Sequence, residues 1–194
     1  LLFDEPSAPE HDAIIAAWAK PIREEKTGIR LWVDPTYRTM AVKESASIAV
    51  CDVICPNRQI FYEAETPYRD FFEKVRDEGK TLEFYSCSGP ARLLDPYLYH
   101  RLQAWTCWEY GATAMYFWAF GDAGGGSSWN EYPARGTSYT PVFLDAVTVT
   151  GGKHMEACRE GVEDYEDLAI LNDEIAAAEK AGVPGEELAG PKRL

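Results

Sequence analysis

What most constrains this chain is a rhythm: short apolar runs alternate with stretches of helical periodicity, punctuated by Gly, Pro, Asn and Asp. That alternation predicts repeated βα units around a parallel sheet, because parallel neighbours need a crossover long enough to hold a helix. The apolar runs are the end of a strand at residues 1–3, then 29–33, 49–54, 81–86 and 113–120. Between the first two, Ile14, Ile15, Trp18 and Ile22 predict a helix over 7–26, kinked or split at Pro21. The clearest helix covers 67–78, with Thr66 as N-cap, Pro67 at its first position and Gly79 just past its end. Another spans 96–110, with Asp95 as its cap, Leu98, Leu102 and Trp105 as its buried stripe and Gly111 as its stop. A long helix over 153–181 carries Met155, Cys158, Val162, Tyr165, Leu168, Leu171 and Ile175 at spacings of three and four, and residues 182–194 are expected to fray.

The fold class is therefore α/β. A five-stranded doubly wound sheet accommodates the pattern, but the motifs below favour the C-terminal part of a (β/α)8 barrel, about strands 4 to 8, with a long C-terminal helix. A complete barrel takes about 250 residues, and this chain has 194. Residues 1–181 then form a single partial domain, and its first partner is the missing N-terminal part of the same barrel. The opening Leu1-Leu2-Phe3 has no initiator Met, basic region or apolar leader, so the chain reads as starting in mid-protein, and its compartment goes with the upstream part. Alone, such a fragment is expected to expose open sheet edges, to be poorly stable or self-associating, and to be inactive.

Composition removes several function classes. A net charge of −13 repels a phosphate backbone, so nucleic acid is not expected as a partner. Charges interrupt the apolar runs too often for a membrane span. Five cysteines at unrelated spacings read as buried thiols, with Cys51 and Cys55 on one strand face and Cys87 beside Cys55, a disulfide being the alternative. His11, His100 and His154 stand singly, without ligand spacing to those cysteines, so neither a metal nor a catalytic histidine is expected. The 124–129 loop lacks the Gly-Lys-Ser/Thr ending of a phosphate-binding loop, and no cofactor is expected.

Chemistry concentrates at Asp4-Glu5-Pro6, where a strand gives way to a loop. Barrel enzymes place catalytic side chains at the C-terminal ends of their strands. Consecutive residues on an extended chain point in different directions, so two adjacent carboxylates can reach the leaving-group oxygen and the underside of a sugar separately. Without more context, the same pair reads as a complement to the dipole of the following helix. A pyranose ring packs on flat aromatic faces. Tyr85 near its strand end, Trp118 in the last strand and Trp129 in the glycine-rich loop are the candidate platforms, although Trp118 is equally readable as barrel core. Alternation puts Glu83 on the side of Tyr85, where a buried carboxylate must be paired or protonated.

The ordered series Phe3-Asp4-Glu5-Pro6, Cys51-Asp52-Val53-Ile54-Cys55-Pro56, Phe84-Tyr85-Ser86-Cys87-Ser88-Gly89-Pro90, Arg101-Leu102-Gln103-Ala104-Trp105, Tyr116-Phe117-Trp118-Ala119-Phe120-Gly121-Asp122 and Arg159-Glu160-Gly161-Val162-Glu163-Asp164-Tyr165-Glu166 resembles the C-terminal half of the glycoside hydrolase family 123 catalytic domain, over nearly the whole chain. The resemblance implies a β-N-acetylhexosaminidase, with N-acetylgalactosaminide as the expected substrate, a carbohydrate partner and a periplasmic or extracellular setting. It implies substrate-assisted catalysis, in which Glu5 is the general acid and base and Asp4 holds the 2-acetamido group. Glu83 departs from the family's pattern, which has an aromatic residue there. It keeps open a rival in which a non-acetamido sugar is cleaved through an enzyme nucleophile, the two carboxylates standing about 5 Å apart. A barrel that binds carbohydrate without turnover is the third reading.

Overall fold

A computed structural model of the chain describes residues 3–87, 96–120 and 141–193. Its elements are α1 (Pro9–Glu24), β1 (Trp32–Val33), a 3₁₀ turn (Met40–Glu44), α2 (Ala46–Val50), β2 (Val53–Ile54), α3 (Arg58–Glu63) and α4 (Thr66–Asp77). They continue with β3 (Thr81–Leu82), β4 (Phe84–Cys87), a π turn (Tyr97–Arg101) leading into α5 (Leu102–Tyr110), β5 (Met115–Trp118), β6 (Val142–Leu144), β7 (Val149–Gly151) and α6 (Lys153–Lys180).

β1, β2 and β3 pair in parallel in chain order, and β4 pairs in parallel with β5. β3 and β4 are one run of chain interrupted at Glu83, whose N–H donates to the Ile54 carbonyl (3.0 Å) while the next N–H, of Phe84, donates to Ala114 on the other side (3.0 Å). Four parallel strand positions thus follow one another in sequence order. Among the described residues the sheets remain open, and β6 and β7 form a separate antiparallel hairpin. No described helix is long and apolar enough to cross a membrane.

Side-chain alternation gives this sheet two unlike faces. Val33, Ile54, Leu82 and Phe84 turn to one face, at 0–2% exposure, and join a core with Ile15 of α1, Ile48 of α2, Phe61 of α3, Phe72 of α4 and Cys107 of α5. Phe61 sits at its centre, edge-on to Phe84 (4.9 Å between centroids) and to Tyr110 (4.8 Å). The helices therefore pack on one side. Trp32, Asp34, Cys55, Glu83, Tyr85, Cys87, Tyr116 and Trp118 alternate to the other.

Several sequence expectations need correction. α2 occupies the front of the run expected as a strand over 49–54. Ser45 caps it, its Oγ accepting from the N–H of Ile48 (3.4 Å), and a short continuous apolar run has no period that separates strand from helix. α1 passes through Pro21, which stands in its last turns, and buries Asp12, Ile15 and Ala19, leaving Ile14 and Trp18 exposed. Thr66 is inside α4, flanked by Glu65, rather than capping it. Gly79 does close α4 with φ +101°, as Gly111 closes α5 with φ +63°, the left-handed backbone that glycine adopts without a Cβ penalty. The π turn before α5 shifts the helical phase, so Leu98, Leu102 and Trp105 are exposed and Tyr99, His100, Gln103 and Cys107 are buried instead. Asp95 lies outside the described residues.

Asn57 caps the unanticipated α3, its Oδ1 accepting from the N–H groups of Gln59 (3.0 Å) and Ile60 (3.2 Å). The stretch after α6, expected to fray, turns back on it: Leu188 is buried and Lys192 pairs with Glu179. All five cysteines are free, and Cys51 ends α2 rather than sharing a strand face with Cys55.

Candidate active site

Glu5 adopts φ +47°, a left-handed conformation uncommon for a residue with a Cβ. Such backbone persists where neighbours over-determine it, and here they do. The Glu5 N–H donates to Asp34 Oδ1 (3.2 Å), the Thr36 hydroxyl donates to the Glu5 carbonyl (3.2 Å), and the Thr36 N–H donates to the Pro6 carbonyl (2.9 Å). The loop carrying Asp4 and Glu5 is thereby fastened to the loop that leaves β1. From β4, 80 residues further along the chain, the Tyr85 hydroxyl donates to Glu5 Oε1.

Asp4, Glu5, Tyr85 and Trp118 line one open pocket of about 620 Å³, together with Trp32, Asp34 and Tyr116. Among the described residues, three carboxylates and, with Phe117, five aromatic rings thus share a space within the size range of small-molecule sites. Trp118 is 63% exposed, so its ring is available to a ligand rather than packed as core. Trp129 lies outside the described residues. Glu83 does not line this pocket. It is buried beneath it, where Oε2 accepts the Trp32 indole N–H (2.7 Å).

Electrostatics separate the acidic residues. Burial pushes the Asp34 carboxyl up to about 7; the backbone N–H groups of Glu5 and of Asp34 itself pull the other way, and the charges of Asp4 and Glu5 add to the rise. Burial, followed by the bond to Glu5, raises the Tyr85 hydroxyl far above its ordinary range, so Tyr85 is a permanent donor in this site. Tyr116 is pushed up to about 12 by burial and then by Glu83, and burial with Glu83 and Asp34 nearby keeps the Cys55 thiol protonated. Among the described residues no group of three or more His, Cys, Asp or Glu side chains is arranged to hold a metal.

Asp34, Trp32, Tyr116 and Phe117 line the pocket and were missed as site residues by sequence reasoning. For Asp34 a signal was present: an acid followed directly by proline occurs twice, at Glu5-Pro6 and at Asp34-Pro35, the second just after β1. No family model, curated protein or solved structure matches the chain, so the site's geometry and chemistry carry its interpretation.

Proposed function

We propose that the complete protein is a glycoside hydrolase on a (β/α)8 barrel, of which this chain supplies about strands 4 to 8. It cleaves a β-linked N-acetylhexosaminide, with N-acetylgalactosaminide as the first choice, by a substrate-assisted retaining mechanism. Two features support the fold: parallel strand positions in sequence order, and helices packed on one face. A doubly wound sheet reverses its order and carries helices on both faces. The observation that carries the function is the convergence of Asp4 and Glu5 with Trp118 and Tyr85 on one pocket.

In this reading the acetamido sugar lies against Trp118. Glu5 gives its proton to the glycosidic oxygen as the bond to the anomeric carbon breaks, and the leaving group departs as an alcohol. The acetamido carbonyl oxygen forms the new bond to that carbon, while Asp4 holds the acetamido N–H and stabilises the positive charge that develops. Glu5, now a carboxylate, takes a proton from the water that opens the oxazoline-type intermediate, which restores both sugar and enzyme. Substrate assistance removes the need for an enzyme nucleophile, consistent with Glu83 being engaged by Trp32 outside the pocket.

Glu5→Gln in the complete protein is expected to lower kcat on an unactivated β-N-acetylhexosaminide by about 10²–10⁴-fold, the usual scale of a lost general acid. Asp4→Asn is expected to abolish turnover of acetamido substrates. Unchanged rates in both variants, or a covalent glycosyl adduct on the protein in mass spectrometry, overturn the mechanism. Sugar binding by calorimetry with no hydrolysis across acetamido and non-acetamido substrates overturns the enzyme reading in favour of a binding barrel.

A further inference from the structure

The proposed reaction leaves one buried carboxylate of the open face unused, that of Glu83, which is 9% exposed. Its backbone is fixed from both sides, since its own N–H bonds the Ile54 carbonyl of β2 and the next N–H bonds Ala114 ahead of β5. Glu83 Oε2 accepts the Trp32 indole N–H at 2.7 Å. Trp32 belongs to β1 and Glu83 stands between β3 and β4, so the bond reaches across β2. The aromatic residue that the resemblance leads one to expect at 83 has no carboxylate for this bond, so the contact belongs to this chain's own sequence.

The same carboxylate faces a second ring. After burial, its charge and its hydrogen bonding raise the Tyr116 hydroxyl. Trp32 and Tyr116 stand edge-on to each other, with 5.9 Å between centroids. Both rings line the pocket of Asp4 and Glu5, whereas Glu83 does not. Tyr116 also lies directly opposite Tyr85 in the β4–β5 register, and Tyr85 donates to Glu5. A carboxylate can accept both donors at once. A ring ordered only when a ligand arrives loses rotamer freedom at that moment and weakens binding, whereas a ring anchored beforehand does not.

Resting on the glycosidase reading above, we infer that Glu83 is a positioning residue: it holds the Trp32 and Tyr116 rings as preformed walls of the acetamido sugar's pocket and takes no part in making or breaking bonds. The complete protein, wild type and with Glu83→Gln, Glu83→Met or Trp32→Phe, is assayed on p-nitrophenyl β-N-acetylgalactosaminide. Methionine keeps the side-chain length without an oxygen acceptor, and glutamine keeps an acceptor without the charge. Glu83→Met is expected to raise KM about tenfold with kcat within about threefold, the mark of binding lost equally from substrate and transition state. Glu83→Gln is expected to return KM to within about threefold of wild type. Added to Trp32→Phe, which lacks the N–H, Glu83→Met should raise KM by less than about threefold more, because the contact it removes is already gone. Unchanged kinetics in Glu83→Met, a lower kcat at unchanged KM, a KM in Glu83→Gln as high as in Glu83→Met, or effects that multiply in full in the double variant overturn the inference. Glu83→Gln decides even if Glu83→Met does not fold: a KM near wild type upholds the anchoring, and a fall in kcat of about a hundredfold or more makes Glu83 a reacting group and overturns it. In all these cases the glycosidase reading stands. A wild type that cleaves neither this substrate nor any other of a panel of acetamido glycosides overturns that reading, and the inference with it.

Discussion

On the helix-facing side of the sheet Val33, Ile54, Leu82 and Phe84 are sealed at 0–2% exposure under five helices, whereas the other side carries Trp32, Asp34, Glu83, Tyr85, Tyr116 and Trp118, on the strands or next to their ends. The first set has no polar side-chain atom, and dispersion and water exclusion hold it. Every member of the second has one, and each buried member meets its desolvation cost through a specific neighbour or state. Glu83 accepts the Trp32 indole, Tyr85 donates to Glu5, and Asp34 shifts toward its neutral form. Stability and chemistry are thus assigned to opposite faces of one sheet, and that division can be broken by mutation.

The largest effect is expected from exchanging the roles. Phe84→Ala removes a ring packed edge-on against Phe61 and should cost about 3–5 kcal/mol in denaturant unfolding of the complete protein, as large-to-small core changes do. Trp118→Ala removes a larger ring, yet should cost under about 1 kcal/mol, because that ring is 63% exposed. In the proposed enzyme it should lower kcat/KM instead. Comparable stability losses in the two variants would make Trp118 core and break the division.

The closed face was largely legible in sequence. Its residues recur with period two between helices whose stops at Gly79 and Gly111 are chemical signals, and both glycines have positive φ. What was not legible depended on a tie or on a phase. Ala49 to Cys51 is apolar without period, and only the Ser45 cap assigns its front to α2. The π turn at Tyr97–Arg101 moves the buried stripe of α5 by a step that no fixed periodicity anticipates. On the open face, Tyr85 and Trp118 were legible as residues of β4 and β5, and Asp4 and Glu5 as an adjacent acidic pair before a proline, although Phe3, expected to end a strand, stands in a bend. Asp34 was not, because Asp-Pro reads locally as turn chemistry, and its bond to Glu5 spans 29 residues.

A smaller effect tests the helical layer behind the closed face. The run of charge from Arg159 to Glu166 reads in sequence as a solvated helix face, and its members divide in the structure. Arg101 holds Asp164 through two bonds (2.7 and 2.9 Å) and Glu160 through a third (3.0 Å), and the Trp105 indole also donates to Asp164 (2.7 Å). These contacts draw α6 against the π turn so closely that a Cβ on Gly161 would stand 2.6 Å from the Arg101 carbonyl oxygen. Gly161→Ala is therefore expected to destabilise by about 1–3 kcal/mol through overpacking against backbone, despite the better helix propensity of alanine. Arg159→Ala, which loses only exposed pairs with Glu156 and Glu163, should stay within about 0.5 kcal/mol. A neutral or stabilising Gly161→Ala, read by thermal or denaturant melting, would show that the helices can part there at little cost.

The smallest effect distinguishes a buried acid of the open face from an ordinary surface carboxylate. Asp34 has its folded pKa near 7 against 3.8 for the free group, so between those values the folded protein holds a proton that the unfolded chain has released. Its contribution to stability is complete below about pH 3.8, declines as pH rises and is gone above about 7, the reverse of a salt-bridged aspartate. Asparagine retains an oxygen for the Glu5 N–H and never ionises. Asp34→Asn should therefore gain on the order of 1 kcal/mol relative to wild type between pH 4 and pH 8, once relaxation around the open pocket has reduced the cost of the charge. The variant's melting profile should also be flatter over that interval. Parallel profiles for the two proteins would mean that Asp34 is ionised throughout in the folded state. The open face would then hold a fixed negative charge behind Glu5 at every working pH.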